Sequence, residues 1–143
     1  MTTPSEQLVG TWRLESWYRI EDDGTRQPRF GPGASGLLIY AADGFMSASL
    51  MDGGRTPFAG PDPYGGTAEE CRAAMSTGHS YCGRWRIEGE AIIHDVELSV
   101  FPNWVGSEQI RYVRFEGDHM ILKTPPTGRR GSTGHAELTW RRA

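Results

Sequence analysis

The sequence predicts an all-β fold, an up-and-down antiparallel barrel of eight to ten strands with one short helix. Turn-forming residues are frequent, with 19 glycines and 9 prolines at short intervals. The segments between these turns alternate in polarity or are rich in β-forming residues, which is typical of short strands. The 143 residues are expected to form one domain, 1–143, which is large enough to bury a core without disulfides or metals.

Tight hairpin signals join several of these segments in sequence order. Asp-Gly at 43–44, Glu-Gly-Glu at 88–90 and Glu-Gly-Asp at 116–118 each separate two strand-like segments. Strands that are adjacent in sequence are therefore expected to pair. The predicted strands are residues 10–20, 25–30, 36–41, 44–51, 79–87, 91–100, 107–115, 118–124 and 135–142.

One segment has a helical pattern instead. Thr67 and Glu70 have the spacing of a capping box, so a helix is predicted to follow them and to end at Gly78 as a left-handed cap. The Pro/Gly-rich stretch before it, residues 55–66, is either a lid or a solvated connector. A second Pro/Gly-rich insert, residues 125–134, is predicted to be flexible and exposed.

Charge and composition exclude several classes of partner. The net charge is −3 and the 15 basic residues are scattered, so a nucleic-acid partner is not expected. No apolar stretch approaches 18 residues and no secretory signal is recognisable, so we expect no membrane span and a cytoplasmic location. Cys71 and Cys82 are then expected to be free thiols. The histidines lack the spacing of a metal site, and no metal or other cofactor is predicted.

Alternation along each strand assigns side chains to the barrel interior. In the first strand Trp12, Ser16 and Tyr18 are predicted to point inward. Trp17 is predicted on the opposite, charged face, where it is either a homodimer contact or an ordinary surface residue. Both faces of the fourth strand are partly apolar, so its inward face stays open. The other residues predicted inward are Leu14, Ile20, His79, Tyr81, Gly83, Trp85, Ile92, His94, Val96, Leu98, Met120, Leu122, Leu138, Trp140 and Arg142.

These inward sets are mainly apolar with a few hydroxyl and imidazole groups, a composition typical of a ligand cavity. Three of the polar residues are candidates for catalysis. His79 and Tyr81 share a face and could hold or protonate a carbonyl oxygen, with the histidine relaying the proton. His94 could act as a general acid or base, but not as a dyad with Asp95, which faces the other way. The alternative is that each is a structural residue with its hydrogen bonds satisfied.

Five further residues are candidates for binding a substrate. Trp104 follows a Pro-Asn turn and could cap the cavity mouth, or could simply pack in that turn. Arg111 would bind a carboxylate or an enolate if its face points inward, and is otherwise an exposed residue. The remaining three candidates are Tyr18, Tyr40 and Met120.

Several segments resemble known families of small barrels. LVGTWRL at the N-terminus resembles the GxW opening of lipocalin and fatty-acid-binding barrels, in which a tryptophan packs under an arginine of the last strand; here these would be Trp12 and Arg142. GLLIYAADGFMSASL, residues 101–126 and LTWRR are similar to bacterial and fungal lipocalin-like domain proteins, which are calycin-type barrels. The resemblance implies a lipocalin-like barrel. Similar barrels bind lipids or pigments, and some in secondary metabolism catalyse cyclisations or isomerisations.

Three functions are compatible with this reading. The leading hypothesis is a cyclase or isomerase that confines an apolar, polyketide-like metabolite and assists with His79, Tyr81 or His94, without a redox cofactor. The first alternative is a non-catalytic binding protein for a small hydrophobic ligand. The second is a haem-binding barrel with His79 or His94 as the axial ligand.

Overall fold

The computed structural model describes residues 4–126 and 134–143, and these fold into one antiparallel sheet with two short helices. The strands follow the predicted segments closely. The helices are α1 (Pro4–Leu8) and α2 (Ala68–Ser76), and a 3₁₀ turn spans Pro102–Trp104. The strands are β1 (Gly10–Ile20), β2 (Arg26–Pro28), β3 (Ser35–Tyr40), β4 (Phe45–Met51), β5 (Gly78–Glu88), β6 (Ala91–Ser99), β7 (Glu108–Glu116), β8 (His119–Lys123) and β9 (His135–Arg142).

The sheet closes on itself. Strands β3 to β9 pair in sequence order, and β1 pairs with both β3 and β9, so eight strands form a closed barrel. β2 pairs only with the end of β1. This confirms the predicted up-and-down barrel, in which closure leaves no long unpaired edge. No helix among residues 4–126 and 134–143 is both long and apolar enough to cross a membrane.

Helix α2 begins as predicted but ends differently. The Thr67 hydroxyl accepts a hydrogen bond from the Glu70 amide, and the Glu70 carboxylate accepts one from the Thr67 amide, which is a complete capping box. The prediction of a left-handed cap at Gly78 is wrong. Thr77 is the C-cap, and Gly78 is the first residue of β5, where it pairs with Met51. Helix α1 is an addition to the predicted elements. Residues 127–133 of the predicted flexible insert lie outside the described residues.

One end of the barrel is closed by α1 and the two strands that meet there. The Trp12 indole donates a hydrogen bond to the Leu8 carbonyl over 2.9 Å, and the Arg142 guanidinium lies 4.0 Å from the centre of the indole ring. Arg142 also donates to the carbonyls of Gln7 and Val9. A side chain at Gly10 would meet this guanidinium, which explains the glycine of the GxW pattern.

A β-bulge at Glu15 reverses the faces of β1 halfway along. Leu14 pairs with Trp140 and Ser16 pairs with Thr139, so Glu15 has no residue opposite it on β9. Every later side chain of β1 therefore points to the other face of the sheet. The inward placement of Ser16, Tyr18 and Ile20 is therefore wrong. Trp17 instead packs against the core, which removes the reason for regarding it as a dimer contact.

A second bulge lies where β5 pairs with β6. Cys82 pairs with Leu98 and Gly83 pairs with Val96, so Glu97 is the extra residue. The prediction that Leu98 points inward is wrong for this reason, and its side chain is 68% exposed. A Cβ at Gly83 would lie 1.9 Å from the Asp95 carbonyl oxygen, so only glycine fits at the bulge. In β4 the open question is resolved, because the buried residues are Met46, Ala48 and Leu50.

Candidate functional site

A cavity of about 530 Å³ occupies the end of the barrel opposite α1. Its volume is in the range of pockets that enclose small organic ligands. Aliphatic side chains and three indoles make most of the wall, and many of the polar groups lie on the side formed by β5, β6 and β7. The apolar wall includes Leu38, Ala48, Leu50, Leu122, Leu138 and Trp140.

A buried chain of three hydrogen-bonded side chains lies behind the polar side. The Tyr40 hydroxyl lies 2.6 Å from His94 Nε2, and the Tyr81 hydroxyl lies 2.7 Å from His94 Nδ1. Tyr40 and His94 are each 1% exposed, and Tyr81 is 7% exposed. His94 and Tyr81 line the cavity, whereas Tyr40 lies behind them. The chain depends on tertiary structure, because three different strands, β3, β5 and β6, each supply one member.

Burial keeps this chain uncharged. Desolvation, followed by the positive charge of Arg111, lowers the pKa of His94 to about 3, so its imidazole is neutral at physiological pH. Desolvation raises the pKa of Tyr81, and it raises that of Tyr40 to well above the usual value. The site therefore contains a neutral imidazole and two intact phenols, none of which is poised to exchange a proton near pH 7.

Arg111 supplies positive charge at the cavity wall. One of its guanidinium nitrogens donates to the Ile110 carbonyl over 2.8 Å, and the residue lines the cavity. Among residues 4–126 and 134–143 it has no carboxylate within ion-pair distance. A guanidinium in this position can hold an electron-rich oxygen of a ligand.

Two indole nitrogens at the cavity also lack a partner. Nε1 of Trp17 and Nε1 of Trp140 are buried, and neither makes a hydrogen bond within the described residues. Both residues line the cavity. A buried N–H normally finds an acceptor, so these two donors are exceptions, and their nitrogens are covered by protein atoms.

Aromatic rings surround the mouth. The His79 imidazole is stacked on Phe30 with 5.4 Å between ring centres, and it also contacts the rings of Trp17 and Trp104. Phe30 has a left-handed backbone, with φ of 58°, which is unusual for a residue other than glycine. Burial and the nearby Arg29 lower the pKa of His79. This cluster provides flat apolar surfaces where a ligand would enter.

The structure separates the candidate residues into two groups, those that line the cavity and those that do not. His79, Tyr81, His94, Trp104 and Arg111 line the cavity. The suggested His79–Tyr81 relay is replaced by a different pair, since the hydrogen-bonded partner of Tyr81 is His94 and His79 lies among the aromatic rings.

The other three candidates do not reach the cavity. Tyr40 lies behind His94, and Met120 is fully buried in the packed core. Tyr18 lies outside the barrel under the Arg26 guanidinium, because of the bulge at Glu15. Sequence reasoning missed Trp17 because it followed strict alternation through that bulge. It also missed Phe30, which lies in a loop and has no periodic pattern to reveal it.

The described side chains do not form a metal centre. No group of three or more His, Cys, Asp or Glu side chains within the described part of the chain could hold a metal ion. Cys71 and Cys82 are both free thiols.

Comparison with known proteins identifies relatives in sequence and in structure. The model of a family described as lipocalin-like domain matches residues 9–143. The chain is similar to the 4'-hydroxy-3'-methoxypropiophenone carrier protein ppsC of Aspergillus oryzae (strain ATCC 42149 / RIB 40). The two are 36% identical over 106 residues, which cover 68% of this chain and 96% of the relative.

Two solved structures are more distant. An uncharacterized protein from Bacteroides eggerthii aligns with a TM-score of 0.48 and 14% identity, covering 95% of this chain and 99% of its own. The fluorescent protein UnaG aligns with a TM-score of 0.42 and 14% identity, covering 96% of this chain and 98% of its own.

Proposed function

This chain belongs to the lipocalin-like domain family, and we propose that it binds and carries a small aryl ketone or a related phenolic metabolite in the barrel cavity. The observation that carries the proposal is the cavity of about 530 Å³, with a mainly apolar wall and a few polar groups. In such a pocket the apolar surface supplies affinity and the few polar groups orient the ligand. The relative named as a carrier of 4'-hydroxy-3'-methoxypropiophenone supports this class of ligand.

The wall residues suit the parts of such a molecule. Trp17 and Trp104 offer flat surfaces to an aromatic ring. Tyr81 and Arg111 would hold a carbonyl or phenolic oxygen, and Arg111 would also accept a carboxylate or an enolate. His79 would form part of the entrance. In this proposal these five residues bind the ligand and none of them changes covalently.

A cyclase or isomerase acting on an apolar metabolite is the second candidate, and the hydrogen bond between Tyr81 and His94 favours it. Tyr81 could polarise a carbonyl while the cavity confines a reactive conformer. The low pKa of His94, about 3, makes this imidazole a weak base at neutral pH, since effective catalytic bases have a pKa near the working pH. Binding without turnover is therefore the better-supported function.

A haem-binding barrel is less compatible with the site. Both ring nitrogens of His94 are engaged by tyrosine hydroxyls, so this residue could ligate iron only by losing a hydrogen bond. His79 keeps no such hydrogen bond among the described residues and would be the axial ligand. A Soret band in the purified protein would support this function over a carrier.

The test combines extraction, titration and a search for turnover. Native mass spectrometry of the purified protein, with organic extraction, would identify any retained compound, and calorimetric titration would measure its affinity. Tyr81→Phe should weaken binding, whereas Tyr64→Phe, at a residue that is 94% exposed, is the matched control. A carrier returns the compound unchanged after incubation. Conversion that is lost in Tyr81→Phe would establish the enzyme instead, and failure to bind apolar dyes or aryl ketones would refute both.

A further inference from the structure

We propose that Tyr40 holds the proton of His94 on Nδ1, so that Tyr81 presents its hydroxyl hydrogen to the cavity and selects a ligand oxygen that accepts a hydrogen bond. This inference rests on the proposed carrier function for its ligand, but the position of the proton can be measured without any ligand. It makes Tyr40 and His94 positioning residues, which act through Tyr81.

The first step follows from the chemistry of imidazole. A neutral histidine has one N–H donor and one bare nitrogen that accepts. Both nitrogens of His94 lie within hydrogen-bond distance of a phenol, at 2.6 Å and 2.7 Å. One tyrosine must therefore donate to His94 and the other must accept from it.

The second step is decided by the surroundings of Tyr40. Its side chain is 1% exposed and does not line the cavity, and its hydroxyl makes no hydrogen bond to any other described residue. If Nε2 carried the proton, the Tyr40 hydrogen would be buried without an acceptor, which is unfavourable. Tyr40 therefore donates to Nε2, and the proton of His94 lies on Nδ1.

The third step concerns the hydrogen bond between His94 and Tyr81, which lines the cavity. Nδ1–H donates to the Tyr81 oxygen, so the Tyr81 hydrogen is left for another acceptor. Tyr81 lines the cavity and makes no other hydrogen bond within residues 4–126 and 134–143. A ligand in the cavity can supply the acceptor.

Arg111, at the same wall, has the same polarity, because a guanidinium can only donate. The acceptors Glu108 and Gln109 also line the cavity, but the Glu108 carboxylate is bonded to Arg86. Together, Tyr81 and Arg111 favour a carbonyl, ether or ionised phenol oxygen.

Nuclear magnetic resonance of ¹⁵N-labelled histidine tests the position of the proton. Long-range ¹H–¹⁵N spectra distinguish a protonated ring nitrogen from a bare one, and the His94 signals are assigned by their loss in His94→Gln. We expect Nδ1 to be protonated in the wild type and in Tyr81→Phe, and both nitrogens to be partly protonated in Tyr40→Phe. Protonation at Nε2 in the wild type, or an unchanged tautomer in Tyr40→Phe, would overturn the role of Tyr40.

Binding of propiophenone and propylbenzene, which differ by a carbonyl, tests the selection. The ketone should bind roughly 5–10-fold more tightly, the value of one hydrogen bond. The ratio of the two affinities should fall to about one in Tyr81→Phe. It should decrease in Tyr40→Phe, although Tyr40 does not line the cavity, and it should be unchanged in Tyr64→Phe. Equal binding of the two compounds to the wild type would overturn the selection and leave a carrier of apolar molecules. If neither compound binds, the selection fails together with the proposed function, and the histidine spectra decide the tautomer alone.

Discussion

The two ends of the barrel use the same strands for opposite purposes. At the closed end, the polar atoms of Trp12 and Arg142 are engaged by backbone carbonyls of α1 and the residue after it. At the open end, the indole nitrogens of Trp17 and Trp140 make no hydrogen bond within the described residues, and the Tyr81 hydroxyl bonds there only to His94. The closed end thus satisfies its own groups and stabilises the fold, whereas the open end leaves groups for a ligand. Substitutions at the two ends should therefore change different observables.

Trp12→Ala should have the largest effect on stability. Trp12 is 2% exposed and packs where α1, β1 and Arg142 meet. Its loss should lower the free energy of unfolding by about 3–5 kcal/mol, as for other buried aromatic residues. Urea unfolding measures the change. A small change in stability accompanied by a large loss of ligand affinity would contradict the division between the two ends.

The stability contributed by His94 should depend on pH. Its pKa in the folded protein, about 3, lies below the ordinary value of 6.5, so the unfolded chain takes up a proton that the folded one does not as the pH falls below 6.5. The wild type should lose up to about 1.4 kcal/mol per pH unit from this group between pH 6.5 and 3. Measuring the free energy of unfolding at several pH values in the wild type and in His94→Asn isolates the contribution of His94. Parallel pH profiles for the two proteins would show that His94 is not buried in its neutral form.

Arg142→Met should have a moderate effect, confined to the closed end. It removes the cation above the Trp12 ring and the donors to the carbonyls of Gln7 and Val9. We expect a loss of about 1–2 kcal/mol in thermal or urea unfolding. Arg141→Met, at an exposed neighbouring position, is the matched control and should change stability little. Equal effects of the two substitutions would mean that the contact with Trp12 contributes nothing specific.

Tyr81→Phe should have the smallest effect on stability and should act mainly on binding. It removes the hydroxyl that bonds to His94 at the cavity wall but retains the ring that packs against Trp104. The free energy of unfolding should change by no more than about 1 kcal/mol, while affinity for an aryl ketone falls roughly 5–10-fold. Titration calorimetry measures the affinity, and urea unfolding of the same preparation measures the stability. A loss of stability without a loss of affinity would place Tyr81 with the structural residues of the closed end.

Much of the fold could be predicted because its signals are local. The hairpins at residues 43–44, 88–90 and 116–118 and the capping box before α2 each depend on neighbouring residues, and the structure contains all of them. The packing of Arg142 on Trp12, expected from the resemblance of the GxW segment, is also present. The site could be predicted only in part. Tyr81, His94 and Arg111 were recognised as candidates, but their partners were not.

The strands, their order and most of the inward residues follow from the amino-acid sequence, because turn chemistry and alternation act over a few positions. The points where alternation breaks follow from strand pairing instead. The bulges at Glu15 and Glu97 depend on the register of a partner strand, and they put Trp17 inside and Tyr18 and Leu98 outside. The folded sheet likewise brings Tyr40 of β3 to His94 of β6 across 54 positions of sequence. Such contacts exist only once distant strands are paired, so no local pattern could have revealed them.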